Sequence, residues 1–342
     1  MSSDSLPALD YPWRDMPPPG TTTQVAAGIH WLSMPLPFKL DHINLWLLEE
    51  EGGWTIVDTG IGDSVTRELW EKLLRGFPQV KRVIVTHYHP DHAGNAAWLC
   101  KRFGVELWMT QGEYLTAHAV RTSTAGYTTE AVLAVFRRNG LDDEHYAGMQ
   151  GRSNRYAELV PDFPASYRRI IDGDSVRVGS NGWRAIIGHG HAPEHLSLYC
   201  KELNVVIAGD MLLSTISTNV SVWSIDPEGD PLRLFLDSIA RYRDLPPDVL
   251  VLPSHGKPFR GAHARVAQLE KHHRKHFDDL LHALDKPKSA AELLGVLFKR
   301  QLDPHQMFFA MGEAIAHLHC LRYAGKLRCA TGSDGVVRYE PA

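Results

Sequence analysis

Thr86-His87-Tyr88-His89-Pro90-Asp91-His92-Ala93-Gly94-Asn95 is the stretch that decides the fold. It follows Val83-Ile84-Val85, a β-branched run bounded like a buried strand, and it precedes Ala96 to Phe103, which reads as a helix. Four candidate metal ligands therefore crowd the carboxyl end of a strand, where α/β sheets place their ligand sites. Imidazole suits zinc, iron and related ions, and a carboxylate adds negative charge to balance a dication. With 19 His among 342 residues a stray pair is expected by chance, but three His and one Asp in H-x-H-x-D-H order are not.

H-x-H-x-D-H after a strand resembles the signature of the metallo-β-lactamase-fold hydrolases, a superfamily of mostly two-metal enzymes. The resemblance runs from about Val25 to Gly261 and gathers further matches downstream. Gly190-His191-Ala192-Pro193-Glu194-His195-Leu196-Ser197 fits the family's G-H-x-P-x-H before a Ser-containing strand. His191 is then the matching ligand, His189 its competitor two residues early, and His195 a second histidine that orients the site or touches substrate. Gly209-Asp210 follows the apolar Val205 to Ala208, and Pro253-Ser254-His255-Gly256 follows Val249 to Leu252. Asp58-Thr59-Gly60 closes the strand Trp54 to Val57; such a triplet is either turn chemistry or a support beneath the metals. His42 and Asn44 flank the preceding strand and read as loop residues.

The resemblance implies His87, His89 and His191 on one metal, Asp91, His92 and His255 on the other, and Asp210 bridging the two. Zinc is the default ion, with iron or manganese also suited to His and carboxylate ligands. A metal-bridged hydroxide would be the nucleophile, and Asp91 would orient it and relay a proton. The implied architecture is an αββα sandwich of two mixed sheets with outer helices.

Between Gln111 and Tyr167 the pattern turns helical, over about Gly112 to Val120, Thr129 to Arg138 and Asp142 to Gln150. That span is too long for an ordinary loop and is expected to form a lid over the metals. Tyr127, Tyr146, Met149, Arg152 and Tyr156 are candidates to line it, and Arg137, Arg138, Arg152 and Arg155 to form a basic rim. Before the catalytic domain (24–261), Pro-rich residues 1–23 suggest an irregular arm. After it, residues 262–342 read as a polar helix carrying His272, His273 and His276, then two helices and a hairpin around Thr331-Gly332-Ser333-Asp334-Gly335. Helix, helix, hairpin is winged-helix-like. For the three histidines a solvated helix face is favoured over metal binding.

Composition narrows the function. Residues 262–342 hold 12 Lys+Arg and 9 Asp+Glu, a formal +3, which leaves −7 on residues 1–261 and −4 overall. An acidic catalytic domain speaks against a polyanionic substrate. Four scattered cysteines without C-x-x-C indicate neither a disulfide framework nor a thiolate site. With no apolar span and no export signal, the expected location is the cytoplasm and β-lactams are disfavoured. The expected activity is cleavage of a small acyl ester-type bond, a thioester or lactone. Phosphodiester or RNA cleavage is the alternative, and a non-catalytic metal-binding or regulatory protein the second. Nucleic acid and membrane partners are not expected; a homodimer is left open.

Overall fold

The computed structural model describes residues 8–77, 79–124, 126–150 and 155–342. The chain divides into two compact units, one formed by 1–122, 155–218 and 238–266, the other by 123–154, 219–237 and 267–342. The span expected to be a single lid is thus shared: its two ends belong to the first unit and its middle to the second. Arg152 lies outside the described residues.

Two mixed sheets build the first unit. One contains β1 (Thr23–Ala26), β2 (Ile29–Pro35), β3 (His42–Glu50), β4 (Gly53–Val57), β5 (Val80–Ile84), β6 (Leu107–Met109) and β7 (Arg168–Arg169), in that spatial order. It is antiparallel from β1 to β4 and parallel from β4 to β7. The other runs from β8 (Ser175–Val178) through β9 (Asn181–Gly188), β10 (His195–Cys200), β11 (Val205–Gly209) and β12 (Leu250–Pro253) to β13 (Phe259–Arg260). Only its β11–β12 pair is parallel.

Strand periodicity sorts side chains between two cores. On β3, Ile43, Leu45 and Leu47 enter one apolar cluster, while Trp46 and Leu48 enter another. Around β5, Val83 and Val85 take the first and Ile84 the second. The second cluster joins Trp31, Trp46 and Val57 of one sheet to Trp183, Leu198, Ile207 and Leu252 of its partner, so it fills the space between sheets. The first packs the outer face of the larger sheet against α1 (Ser64–Leu73), α3 (Ala96–Phe103) and α4 (Gln111–Arg121). A short turn of helix, α2 (Pro90–Ala93), leads from β5 and the histidine loop into α3. The αββα sandwich of two mixed sheets is therefore the observed architecture. The N-terminal arm is irregular but docked: Asp10 pairs with Arg260 beside β13, and Trp13 and Met16 pack on the inter-sheet core.

The second unit contains α5 (Thr129–Arg138) and α6 (Asp143–Met149), whereas α7 (Arg155–Leu159) belongs to the first. After α8 (Pro231–Ala240) and α9 (Ala262–Ala283) come α10 (Ala290–Leu297), α11 (Pro304–Tyr323) and the hairpin β14 (Leu327–Thr331) and β15 (Val337–Pro341). Ser289 and Glu292 form a reciprocal cap that starts α10. Lys288 and Tyr339 form an isolated antiparallel bridge beside the two-stranded hairpin. Among the described residues no helix is long and apolar enough to cross a membrane.

Candidate metal centre

Strand ends of both sheets supply the site. β5 delivers His87 to His92, β9 runs out toward His191, β11 ends at Gly209 before Asp210, and β12 ends before His255. His87, His89, His191 and Asp210 form one set of mutually close donors, and Asp91, His92 and His255 another. Within the first, His87 Nε2 lies 2.9 Å from His89 Nδ1 and 3.2 Å from His191 Nε2. Two nitrogens on one tetrahedral zinc would stand about 3.3 Å apart, given metal–nitrogen bonds of about 2.0–2.1 Å. Asp210 faces both sets: Oδ2 is 3.4 Å from His191 Nε2, while Oδ1 is 3.5 Å from His92 Nε2 and 3.6 Å from His255 Nε2.

The ring orientations are held from behind. His92 Nδ1 donates to Asp58 Oδ2 at 2.8 Å, which turns Nε2 toward Asp210. Asp58 also accepts from the backbone N–H and the hydroxyl of Thr86. It achieves this from a left-handed backbone, φ 61°, which Asp tolerates better than most residues. The Asp58-Thr59-Gly60 turn is thus also a support: Thr59 Oγ1 and N–H both donate to the His92 carbonyl. His255 Nδ1 donates to the His42 carbonyl at 2.8 Å, and Asn44 Nδ2 donates to the carbonyls of Pro253 and Gly256. His42 and Asn44, read as loop residues, therefore fasten the loop of the last ligand.

His195 is fully buried, and its Nε2 accepts the Asp210 backbone N–H at 3.0 Å. Of the two roles expected of it, this geometry fits orienting the segment that carries Asp210. Gly209 is required beside it: φ is 55°, and a Cβ there would lie 2.4 Å from the imidazole. His189 is exposed, with its Nδ1 2.6 Å from the Pro193 carbonyl, and joins neither donor set.

Glu113 on α4 escaped the sequence reading. Fully buried, it accepts the backbone N–H of Tyr88 at 2.9 Å and of Glu194 at 2.6 Å. One carboxylate thereby ties the His87–His92 loop to the His191–His195 loop, and burial raises its pKa to about 7. Tyr156 donates from its hydroxyl to the Tyr88 carbonyl at 2.6 Å, bracing the same loop. Tyr127, Tyr146 and Met149 fall in the second unit.

Electrostatics suit cations. Burial holds His89 down at about 3 and His87 well below 6.5, so both are neutral donors at pH 7. Burial pushes Asp91 and Asp210 up, but neighbouring histidines outweigh it and keep both carboxylates below their usual range. For His92 burial acts downward, yet Asp58, Asp91 and Asp210 drive it well above 6.5. The buried His92 Nε2 and Asp210 Oδ1 have no hydrogen-bond partner among the described residues. Such orphaned atoms, aimed at one another across 3.5 Å, fit a divalent metal that both would bind.

Residues 39–255 match the metallo-beta-lactamase superfamily, and 277–342 match a metallo-beta-lactamase-like C-terminal domain. A probable metallo-hydrolase of Bacillus subtilis, YqjP, is 25% identical over 310 residues, covering 88% of this chain and 93% of that one. Among solved structures, a beta-lactamase domain protein from Burkholderia ambifaria is 47% identical and superposes with a TM-score of 0.91, covering 98% of both chains. A metallo-beta-lactamase family protein from Thermus thermophilus is 30% identical, with a TM-score of 0.78 over 93% of this chain and 100% of that one.

Proposed function

The chain belongs to the metallo-beta-lactamase superfamily, and from that premise we propose that it is a dinuclear metal-dependent hydrolase that cleaves a thioester or lactone of a small acyl substrate. The coarser part, a metallo-hydrolase, rests on the family and on relatives of that description. The observation that carries the dinuclear reading is Asp210, whose two oxygens face different donor sets. His87, His89 and His191 would hold one ion, Asp91, His92 and His255 the other. Zinc is favoured by the imidazole and carboxylate donors, with iron or manganese compatible with the same set.

Divalent ions in such a site supply Lewis acidity and a nucleophile at neutral pH. The chain's own groups do the rest. Asp58 and the His42 carbonyl keep the Nε2 atoms of His92 and His255 turned inward. His195 fixes the backbone that bears Asp210. Asp91, ionised and only partly buried, would orient the attacking group and carry its proton to the leaving group.

Charge supports the acyl substrate: residues 1–261 carry a formal −7, which does not steer a polyanion. Two arginines of the expected basic rim are already paired, Arg137 with Asp143 and Arg138 with Glu228. The test compares kcat/KM for acyl thioesters, lactones, bis-nitrophenyl phosphate and single-stranded RNA on one metal-loaded preparation. Acyl hydrolysis abolished by Asp91→Ala is expected. Metal-dependent RNA cleavage without acyl hydrolysis would reject the acyl reading.

A further inference from the structure

The second unit contains its own cluster of histidines, sharing no residue with the one around Asp210. α9 carries His272, His273 and His276; α11 carries Glu313 and His317. Glu313 and His317 stand four residues apart and so face the same way. Their helix is otherwise lined with buried Met311, Ala314, Ile315 and Leu318. A carboxylate and an imidazole set in such a helix need a partner to offset their desolvation.

The donors converge. One ligand atom from each of His276, Glu313 and His317 lies within 4.8 Å of the other two. His317 Nδ1 is 2.8 Å from the Glu313 main-chain carbonyl and donates to it, which leaves its Nε2 as a lone pair. His273 Nδ1 is within hydrogen-bond distance of that Nε2, at 3.1 Å, a contact that an ion bound at Nε2 would replace. The buried His276 Nδ1 and His273 Nε2 have no hydrogen-bond partner among the described residues. Glu313 receives a long contact from Asn219 Nδ2, at 3.4 Å. A hydrogen-bonded polar core would leave fewer such atoms unsatisfied.

We propose that His276, Glu313 and His317 form a second metal site, selective for a zinc-like transition ion, that fastens α9 to α11. Two imidazoles and one carboxylate suit zinc, whereas magnesium and calcium favour oxygen-only shells. Burial holds His276 at about 4 and His317 at about 3, so neither must shed a proton to bind at pH 7. It also raises Glu313 to about 7, and a bound cation would return that carboxyl to its ionised form. His276 and Glu313 are half-buried, which gives an ion a way in. The site is independent of the hydrolytic reading, because an ion here would stabilise the unit whatever the substrate is.

The experiment uses the full chain, stripped with a chelator, reloaded with zinc and counted by elemental analysis. Wild type is expected to hold one ion per chain more than His276→Gln, with unchanged hydrolase turnover. Zinc should raise the Tm of wild type by more than that of the variant. Because His317 is fully buried and its replacement can unfold the unit, His276→Gln, at a half-buried position, is the deciding variant. Cobalt loading gives a second readout: a visible band present in wild type and reduced in the variant. Equal ion counts, with equal zinc-induced shifts in Tm, would overturn the proposal.

Discussion

The histidines around Asp210 and those shared by α9 and α11 are built on different principles. In the first group the rings sit on loops at strand ends, and dedicated partners fix individual rings: Asp58 holds His92, and the His42 carbonyl holds His255. In the second the rings ride on two long helices, and a ring nitrogen of His276 has no hydrogen-bond partner among the described residues. Loops at strand ends leave room for substrate, and supported rings keep their geometry when an ion exchanges. Helix faces hold ligands only as firmly as the helices pack. The contrast assigns chemistry to the first cluster and cohesion to the second.

The largest effect expected from breaking this contrast comes from Asp210→Ala. It removes the carboxylate that faces both donor sets, so on the proposed two-ion reading kcat/KM should fall at least about 100-fold, with weaker retention of metal. Loss of only one ion with activity preserved would show that Asp210 does not link the sets. Asp58→Asn tests the supports. Asn can keep the left-handed backbone but cannot hold His92 as a carboxylate does. A drop of about 10- to 100-fold in metal affinity is expected by chelator competition; unchanged affinity would make Asp58 a mere turn residue.

Glu113→Gln should cost about 10-fold in activity and roughly 1–3 kcal/mol of stability, since an amide cannot accept from both the Tyr88 and Glu194 N–H groups through separate oxygens. Thermal melts alongside kinetics would check this. In the α9–α11 cluster the expected signal is pH-dependent stability. Burial holds His273 at about 2 and His317 at about 3, against an ordinary 6.5. The unfolded chain thus takes up protons near 6.5 that the folded chain refuses. The contribution is complete above that pH and is lost as pH falls below it. At pH 5.5 each ring should cost the chelator-stripped protein roughly 1 kcal/mol, while Glu313, raised by burial to about 7, acts with the opposite sign in the same window. The ring's share is read by difference: an identical change in denaturant midpoint between pH 7.5 and 5.5 in wild type and His273→Gln would contradict the burial. The smallest effect belongs to His189→Ala, within about twofold of wild type in activity, as for other exposed positions away from the chemistry.

What the sequence shows follows the same contrast. His87 to His92 are contiguous, and His191, Asp210 and His255 each follow an apolar strand, so a local pattern marks their places. Glu113 carries no such mark: an acidic residue in the first turn of an amphipathic helix is ordinary, and its partners are backbone groups 25 and 81 residues away. The cluster on α9 was equally hidden. His272, His273 and His276 read as a solvated face because Glu313 and His317 come from a helix on the far side of α10 in the sequence. The division of the lid-like span at 122/123 and 154/155 is another such case: Thr122-Ser123-Thr124 and Gly151 to Asn154 are turn-like in the sequence, but no local feature announces that the residues between them group with the C-terminal ones.

The most direct test of the account counts ions in the full-length His276→Gln chain, where the α9–α11 site is removed and only the centre around Asp210 remains. After saturation with zinc and removal of the excess, elemental analysis should give two ions per chain, and adding Asp210→Ala should reduce that number together with turnover. A count that never exceeds one, in protein that is fully active, would contradict the two-ion centre bridged by Asp210.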